Sequence, residues 1–250
     1  MNDAEFEAHA RVEGGHWWFT ARRHILLAMV DAVADGKGAA IADIGCGTGG
    51  NASALASAGY SVLGLDPSPH AIALATRHAP GVRFLQAEGF DAAREHLAGG
   101  GIALLTDVLE HVDDDRALLA DAISAVPSGG HLVLTVPADP ALWSSHDVAF
   151  GHRRRYAAPE FAALWSDSPV DVRLLSHFNA RLRPVIAAAR HFERSSPKRA
   201  GGDLRFPAGP LNRLLHRTFA GESVRLVAAL DSGAPAYSNG VSMIAVLRHR

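Results

Sequence analysis

The stretch Ala42-Asp43-Ile44-Gly45-Cys46-Gly47-Thr48-Gly49-Gly50 decides the fold of this chain. It follows a short apolar run and precedes a segment of helical character, so it predicts the turn from a first β-strand into a helix. Glycines in such a turn permit a tight bend and let a ligand approach the backbone closely. The spacing of Gly45, Gly47 and Gly50 also satisfies the G-x-G-x-x-G pattern of dinucleotide-binding proteins, so spacing alone leaves the ligand open.

Short apolar runs alternate with helix-length segments from residue 39 to residue 136, which is typical of parallel strands joined by helical crossovers. Five strands are predicted there, at residues 39–44, 61–65, 82–85, 102–106 and 131–136, with helices at 51–58, 69–78, 90–97 and 114–126. Further predicted elements are helices at 16–33 and 159–165, a sixth strand at 170–177 and a closing strand at 240–247. We interpret residues 1–38 as an N-terminal helical lid, 39–177 as the cofactor-binding core, 178–239 as a helical insertion that could cover the substrate, and 240–250 as the final core strand.

The charge of Asp43 discriminates between the two kinds of ligand. A dinucleotide would place its diphosphate on this loop, where the carboxylate would repel it. S-adenosylmethionine instead brings an ammonium and a sulfonium group, which a carboxylate attracts. Asp66, at the end of the second predicted strand, suits the ribose hydroxyls of either ligand. Asp43 therefore favours the methyl donor.

The segment Asp43-Ile44-Gly45-Cys46-Gly47-Thr48-Gly49 resembles the first motif of class I S-adenosylmethionine-dependent methyltransferases. Three later segments continue the resemblance: Leu63-Gly64-Leu65-Asp66-Pro67-Ser68, Gln86-Ala87-Glu88 and Thr106-Asp107-Val108-Leu109-Glu110-His111-Val112. The resemblance implies a Rossmann-like α/β fold, with a seven-stranded sheet of order 3-2-1-4-5-7-6, strand 7 antiparallel and helices on both faces. It also implies S-adenosylmethionine as the cofactor, held by Asp43, Gly45, Cys46, Gly47, Asp66, Pro67, Glu88, Gly89, Thr106 and Asp107.

The segment His16-Trp17-Trp18-Phe19-Thr20-Ala21-Arg22-Arg23 is dense in aromatic and cationic residues. Its aromatic rings could staple the helix onto the sheet, or the helix could form a lid over the cofactor cleft. We favour the lid, with Trp18 against the cofactor and Trp17 against the substrate. Together with residues 143–147 and 151–156, this segment resembles a bacterial subgroup of small-molecule methyltransferases, a resemblance that names no substrate.

Three histidines follow the fourth and fifth predicted strands, where class I enzymes build their acceptor pockets. Methyl transfer to oxygen requires the loss of a proton, so a histidine near the methyl group could act as general base. We rank His146 slightly above His152, although either could be a structural hydrogen-bonding residue, and His111 could equally shape its loop. These bases make oxygen the preferred accepting atom. The other predicted substrate-binding residues are Trp143, Asp147, Arg154 and Tyr156.

Composition limits the class of protein. A chain of 250 residues with 48% hydrophobic and 20% charged residues fits one main globular domain. The single cysteine, Cys46, excludes an intramolecular disulfide, and the scattered histidines have no spacing that predicts a metal site. The N-terminus lacks a signal-like apolar stretch, and the apolar runs are too short to span a membrane, so a cytoplasmic protein is expected.

The charge is unevenly distributed. Residues 1–150 hold 8 basic against 19 acidic residues, whereas residues 151–225 hold 14 basic against 6 acidic residues. The basic segment could face an anionic acceptor or form a solvated surface. A nucleic-acid methyltransferase is an alternative, but the fourth strand lacks an Asn-Pro-Pro-aromatic or Asp-Pro-Pro-aromatic tetrapeptide, so no nucleic-acid partner is expected. An inactive cofactor-binding module also stays open; the expected partner is a small-molecule acceptor, and the expected state a monomer or homodimer.

Overall fold

A computed structural model of the protein describes residues 3–195 and 206–250. In these residues one seven-stranded sheet has the strand order β3-β2-β1-β4-β5-β7-β6, and β7 runs antiparallel to both of its neighbours. The predicted fold class is confirmed. The central strands are mostly apolar because helices cover both faces of the sheet. The strands are β1 Ala40–Ile44, β2 Ser61–Asp66, β3 Arg83–Gln86, β4 Ile102–Thr106, β5 His131–Pro137, β6 Val170–Phe178 and β7 Ser242–His249.

Helices lie on both faces of this sheet. On one face, α2, α3, α10 and α11 pack on strand side chains such as Ile41 and Leu104. On the other face, α5, α6 and α8 pack on the neighbouring side chains Ala42 and Leu105, because successive residues of a strand point to opposite faces. The helices are α1 Asp3–Val12, α2 Trp17–Val33, α3 Gly50–Ser57, α4 Pro69–His78, α5 Asp91–His96, α6 Asp115–Ala125, α7 Ser145–Ala149, α8 Ala158–Ala163, α9 Arg183–Ser195, α10 Gly209–Ala220 and α11 Ser223–Ala228.

The predicted elements agree with the structure to within about two residues at most ends, and two differences have physical causes. The closing strand begins at Ser242 rather than Gly240, where the backbone passes so close to Phe178 that a side chain would clash. Helix α1 was missed because it buries a single apolar side chain, Phe6, and so has no apolar stripe to detect.

The insertion predicted at residues 178–239 contains α9, α10 and α11, and its residues 196–205 lie outside the described part of the chain. Strand β6 extends to Phe178, so the core continues one residue past the predicted boundary. Helix α10 packs against α2: the Asn212 side chain accepts a hydrogen bond from the Trp17 amide (2.9 Å) and donates one to the Gly15 carbonyl (3.0 Å). In the described residues, every helix is too short or too polar to cross a bilayer.

Candidate active site

The glycine-rich loop joins β1 to α3 at the carboxyl edge of the sheet. The amides of Gly45 and Cys46 donate hydrogen bonds to the Leu65 carbonyl, at 2.7 Å and 2.9 Å. Gly45 has a φ of +71°, and a Cβ there would lie 2.6 Å from a methyl carbon of Val108. Glycine is therefore required at this position both by the backbone conformation and by the close approach of the loop that follows β4.

Asp66 ends β2 beside this loop. Its Oδ2 accepts a hydrogen bond from the Gly47 amide (2.9 Å), and its Oδ1 accepts one from the Ser68 amide (2.9 Å). Burial raises the pKa of this carboxyl group, and the two amides oppose that rise. Each oxygen has a second lone pair, which leaves the carboxylate able to accept hydroxyl hydrogens from a ligand.

The Pro67 carbonyl accepts a hydrogen bond from the Gln86 side chain (3.2 Å), which ties the ends of β2 and β3 together. Glu88 and Gly89 follow β3 and are exposed to solvent. They lie at the expected edge of the sheet, and their predicted contact with the cofactor stays a prediction.

Asp43 lies in β1 and is fully buried. Neither of its oxygens has a well-formed hydrogen bond among the described residues. Burial raises the pKa of Asp43 to about 7, since the charge of Arg22 and the Ala52 amide offset only part of the desolvation and Asp66 adds repulsion. A buried, unsatisfied carboxyl group of this kind is stabilised in its charged form by a cationic ligand.

Asp107 follows β4 and is held by the side chains of Arg22 and Thr135. Its φ is +58°, a conformation rarely adopted by residues other than glycine. The Arg22 guanidinium pairs with Asp107 (2.7 Å) and donates to the Thr135 hydroxyl (2.7 Å), which in turn donates to Asp107 (3.1 Å). The neighbouring Thr106 hydroxyl accepts a hydrogen bond from Asn51 (3.0 Å). Arg22 lies in the aromatic segment 16–23, but no pattern in the sequence predicted its contact with Asp107.

Helix α1 and the start of α2 close over the glycine-rich loop. His9 is hydrogen-bonded to Thr48 (3.0 Å), and the Glu13 carboxylate reaches the amino end of α3 so closely that a side chain at Gly50 would clash with it. Arg23 donates to the Glu13 carbonyl (3.1 Å). A cavity of about 270 Å³ lies between these elements, lined by Glu13, Arg23, Thr48, Gly49, Ser53 and His78. Sequence reasoning missed His9 and Glu13 because it missed α1.

The rings of Trp17 and Trp18 pack against helix α10. The Trp18 ring stacks on Phe219 of α10, with centroids 5.5 Å apart, and the Trp17 ring meets the same phenylalanine edge-on at 6.3 Å. Both rings are half-buried, and the expectation that they also face the ligands stays a prediction. The spacing of a helix turns Phe19, Arg22 and Arg23 towards the glycine-rich loop and Asp107.

His111 and His152 come together on the acceptor side of the cleft. Their rings lie 5.0 Å apart in an edge-to-face arrangement, and Nδ1 of His152 is hydrogen-bonded to Asp147 at 2.9 Å. Burial and the neighbouring His152 lower the pKa of His111 to about 4. His146 lies further along, with its ring 6.2 Å from that of His152, and burial and the charge of Arg190 lower its pKa to about 4.

Asp147 is fully buried at the centre of this region. It accepts hydrogen bonds from the Ser144 amide (2.8 Å) and from the guanidinium groups of Arg155 (2.8 Å) and Arg190 (3.3 Å), besides His152. Burial alone would raise the pKa of Asp147, but the His152 hydrogen bond and the two arginines hold it well below its usual range. These bonds use its oxygens within the protein, and its predicted contact with a substrate stays a prediction.

Arg154 and Tyr156 also form hydrogen bonds with protein groups. The Arg154 guanidinium pairs with Asp115 (2.7 Å) and donates to the Val112 carbonyl (2.9 Å). The buried Tyr156 hydroxyl donates to the same Asp115 carboxylate (2.7 Å). Both side chains therefore hold the loop after β5 against α6, and their predicted substrate contacts stay predictions. Trp143 is half-buried before α7, and its predicted role stays a prediction.

Known methyltransferases are similar to this chain in sequence. The family model described as "Methyltransferase domain" matches residues 9–183. The ubiquinone biosynthesis O-methyltransferase of Cronobacter sakazakii is 29% identical over 142 residues, covering 52% of this chain and 57% of the relative. That of Azorhizobium caulinodans is 36% identical over 105 residues, covering 40% of each chain. The chain thus spans about half the length of the curated relatives it matches.

Solved structures share the fold at low sequence identity. A TehB-like S-adenosylmethionine-dependent methyltransferase from Corynebacterium glutamicum is 18% identical and covers 100% of each chain, with a TM-score of 0.57. A phosphoethanolamine-type N-methyltransferase from Haemonchus contortus is 17% identical, with a TM-score of 0.60, over 99% of this chain and 57% of the other. The family model covers most of the chain, and the strand order of the sheet is the one that the resemblance to methyltransferases implied. The chain therefore belongs to the class I S-adenosylmethionine-dependent methyltransferase family.

Proposed function

We propose that this chain transfers a methyl group from S-adenosylmethionine to an oxygen atom of a small-molecule acceptor. The observation that carries the proposal is the loop after β4, which brings Asp107 to the cofactor side and His111 against His152 only a few residues later. Donor-binding groups and a proton-accepting imidazole thus meet at one edge of the sheet. The names of the curated relatives, which are O-methyltransferases, support oxygen as the accepting atom.

The chemistry needs alignment and the removal of one proton. The acceptor oxygen attacks the methyl carbon in line, the new C–O bond forms, and the electron pair of the broken C–S bond stays on sulfur. A hydroxyl acceptor must also release its hydrogen, which a positioned base accelerates.

We assign the base to His152, which reverses the ranking from the sequence. Because Nδ1 of His152 faces the Asp147 carboxylate at 2.9 Å, its hydrogen points to Asp147 and Nε2 is left to accept a proton. His146 lacks this arrangement with Asp147, its immediate neighbour, which instead caps the start of α7. Asp147 then acts as a positioning residue.

We infer that α1 and α2 form the lid over the cofactor. Arg22 and Arg23 face the cleft from α2, and His9 and Glu13 reach the glycine-rich loop from α1. A guanidinium group facing this cleft suits the carboxylate of the methionine portion of the cofactor. A cytoplasmic location and a monomeric or homodimeric state stay predictions of the sequence.

The test is a product analysis with deuterated-methyl S-adenosylmethionine and a panel of phenols, catechols, alcohols and amines. We expect transfer of the deuterated methyl group to the oxygen of a hydroxyl-bearing compound, and His152→Ala should lower kcat by roughly a hundredfold or more. His96→Ala is the control, because His96 bonds to the Ser61 carbonyl at the opposite edge of the sheet. Methylation at carbon or nitrogen only, or full turnover by the His152 variant, would contradict the proposal.

A further inference from the structure

We propose that Glu110, His111 and His152 form a binding site for a divalent transition-metal ion. One carboxylate oxygen and one nitrogen from each imidazole all lie within 4.8 Å of one another. Glu110 and His111 lie in the turn after β4, whereas His152 comes from the loop after α7, so the spacing of these residues in the sequence does not predict the site.

The burial of the Glu110 carboxylate is the first observation that favours a cation at this position. Its side chain is fully buried, and neither oxygen has a hydrogen-bond partner among the described residues. The two nearby arginines are committed elsewhere: Arg22 binds Asp107 and Thr135, while Arg155 binds Asp147 and the Ala138 carbonyl. A carboxylate without a partner in the interior is costly, and a bound cation supplies the compensating charge.

The two imidazoles are prepared for coordination. His152 is oriented through Nδ1 by the Asp147 carboxylate, the arrangement that fixes a metal-binding histidine and leaves Nε2 as the ligand. Nδ1 of His111 is buried and has no hydrogen-bond partner among the described residues. The two loops are tied together by Arg153, whose amide donates to the Glu110 carbonyl (2.8 Å) and whose side chain donates to the His111 carbonyl (2.9 Å).

The donor set indicates the class of ion. Two neutral imidazoles and one carboxylate suit zinc, cobalt, iron or manganese better than magnesium or calcium, which prefer oxygen ligands. Three protein ligands also leave at least one coordination position open for water or an acceptor hydroxyl.

A cation at this site changes the route of the acceptor proton without changing the proposed function. A metal ion on Nε2 of His152 excludes a proton from that nitrogen. A hydroxyl bound to the ion loses its hydrogen more readily, because the metal stabilises the resulting oxyanion. His152 then serves as a base in the cation-free chain and as a ligand in the loaded chain.

The experiment measures metal binding alone, without cofactor or acceptor, so its result is independent of methyl transfer. The chelator-treated protein is titrated with Co²⁺, followed by visible absorption, and with Zn²⁺, followed by calorimetry. We expect one ion per chain, with cobalt bands of a nitrogen- and oxygen-ligated ion. His152→Ala and Glu110→Gln should each weaken binding at least tenfold, and Asp147→Asn by roughly ten- to a hundredfold. His96→Ala should bind as the wild type does.

Thermal unfolding provides a second readout that does not depend on every variant binding metal. Zn²⁺ should raise the Tm of the wild type, and Glu110→Gln should unfold at a higher temperature than the metal-free wild type because it removes a buried unpaired carboxyl group. Absence of Co²⁺ binding to the wild type would overturn the proposal. So would Glu110 and His152 variants that bind Co²⁺ as tightly as the wild type does. If the wild type binds the metal ion but methylates no hydroxyl compound in the product analysis, the proposed function is overturned and the metal site is not.

Discussion

At the scale of single residues, Asp43 shows how burial prepares a group for a charged ligand. Burial raises the pKa of its carboxyl group to about 7, and a cationic ligand would lower it again. Proton release therefore accompanies binding below pH 7, so affinity for S-adenosylmethionine should rise with pH up to that value. We expect a roughly tenfold gain in affinity between pH 5.5 and pH 7, measured by calorimetry in buffers of different ionisation enthalpy.

The Asp43→Asn variant separates this effect from other titrating groups. It should bind the cofactor weakly with little dependence on pH, while Asp121→Asn, a change at an exposed carboxylate of α6, should behave as the wild type does. The stability effect has the opposite sign. A pKa raised on folding means that the stability contributed by Asp43 is lost as pH rises through about 7, so Asp43→Asn should gain Tm relative to the wild type at pH 8 but not at pH 4. An unchanged pH profile in the variant would refute this account.

At the scale of elements, the aromatic contact between α2 and α10 should set the position of Arg22. Phe219 is fully buried and contacts Trp17, Trp18 and Phe178. Phe219→Leu should cost about 1 kcal/mol of unfolding free energy, measured by urea denaturation. It should also weaken cofactor binding several-fold, because α2 carries Arg22 to Asp107.

The matched control is Phe161→Leu, which changes a fully buried phenylalanine of α8 on the opposite face of the sheet. It should lower stability by a similar amount and leave cofactor affinity unchanged. Equal effects of both substitutions on affinity would show that the α2–α10 contact has no specific role in placing the lid.

At the scale of the whole molecule, α1 should contribute to ligand retention more than to folding. Its one buried apolar side chain, Phe6, packs on Ala71 and Leu74 of α4, outside the two main clusters of the core. Its polar residue His9 and Glu13, in the turn that follows it, contact the glycine-rich loop. The molecule is thus organised as a stable sheet with a lightly attached cover.

Deletion of residues 1–14 should therefore leave a folded protein with a small loss of Tm. Cofactor dissociation, followed by stopped-flow fluorescence, should become about tenfold faster, since few buried apolar contacts hold such a cover in place. A matched substitution, Glu7→Gln, removes only the contact with His70 and should have little effect. Loss of folding on deletion would show that α1 belongs to the core.

The sequence by itself determined the sheet and the donor side of the site. The alternation of apolar runs and helix-length segments predicted the strands and helices, and the resemblance to the methyltransferase family implied the strand order. The predicted ends of β4 and α4 agree with the structure. Asp43, Gly45 and Asp66 could be placed at the carboxyl edge of the sheet because each lies within a few residues of a strand end, where chain direction and local backbone geometry fix its place. Such information is local, so it can be read from neighbouring residues.

Only the tertiary structure decided the acceptor side and the cover. His152 meets His111 and Glu110 because two separate loops fold over the same sheet edge, and Asp147 is hydrogen-bonded to His152. Trp18 turned to Phe219, a residue about two hundred positions away, because burying both rings removes apolar surface from water. Contacts between distant segments depend on the packing of the whole chain, and no spacing within a single segment determines them.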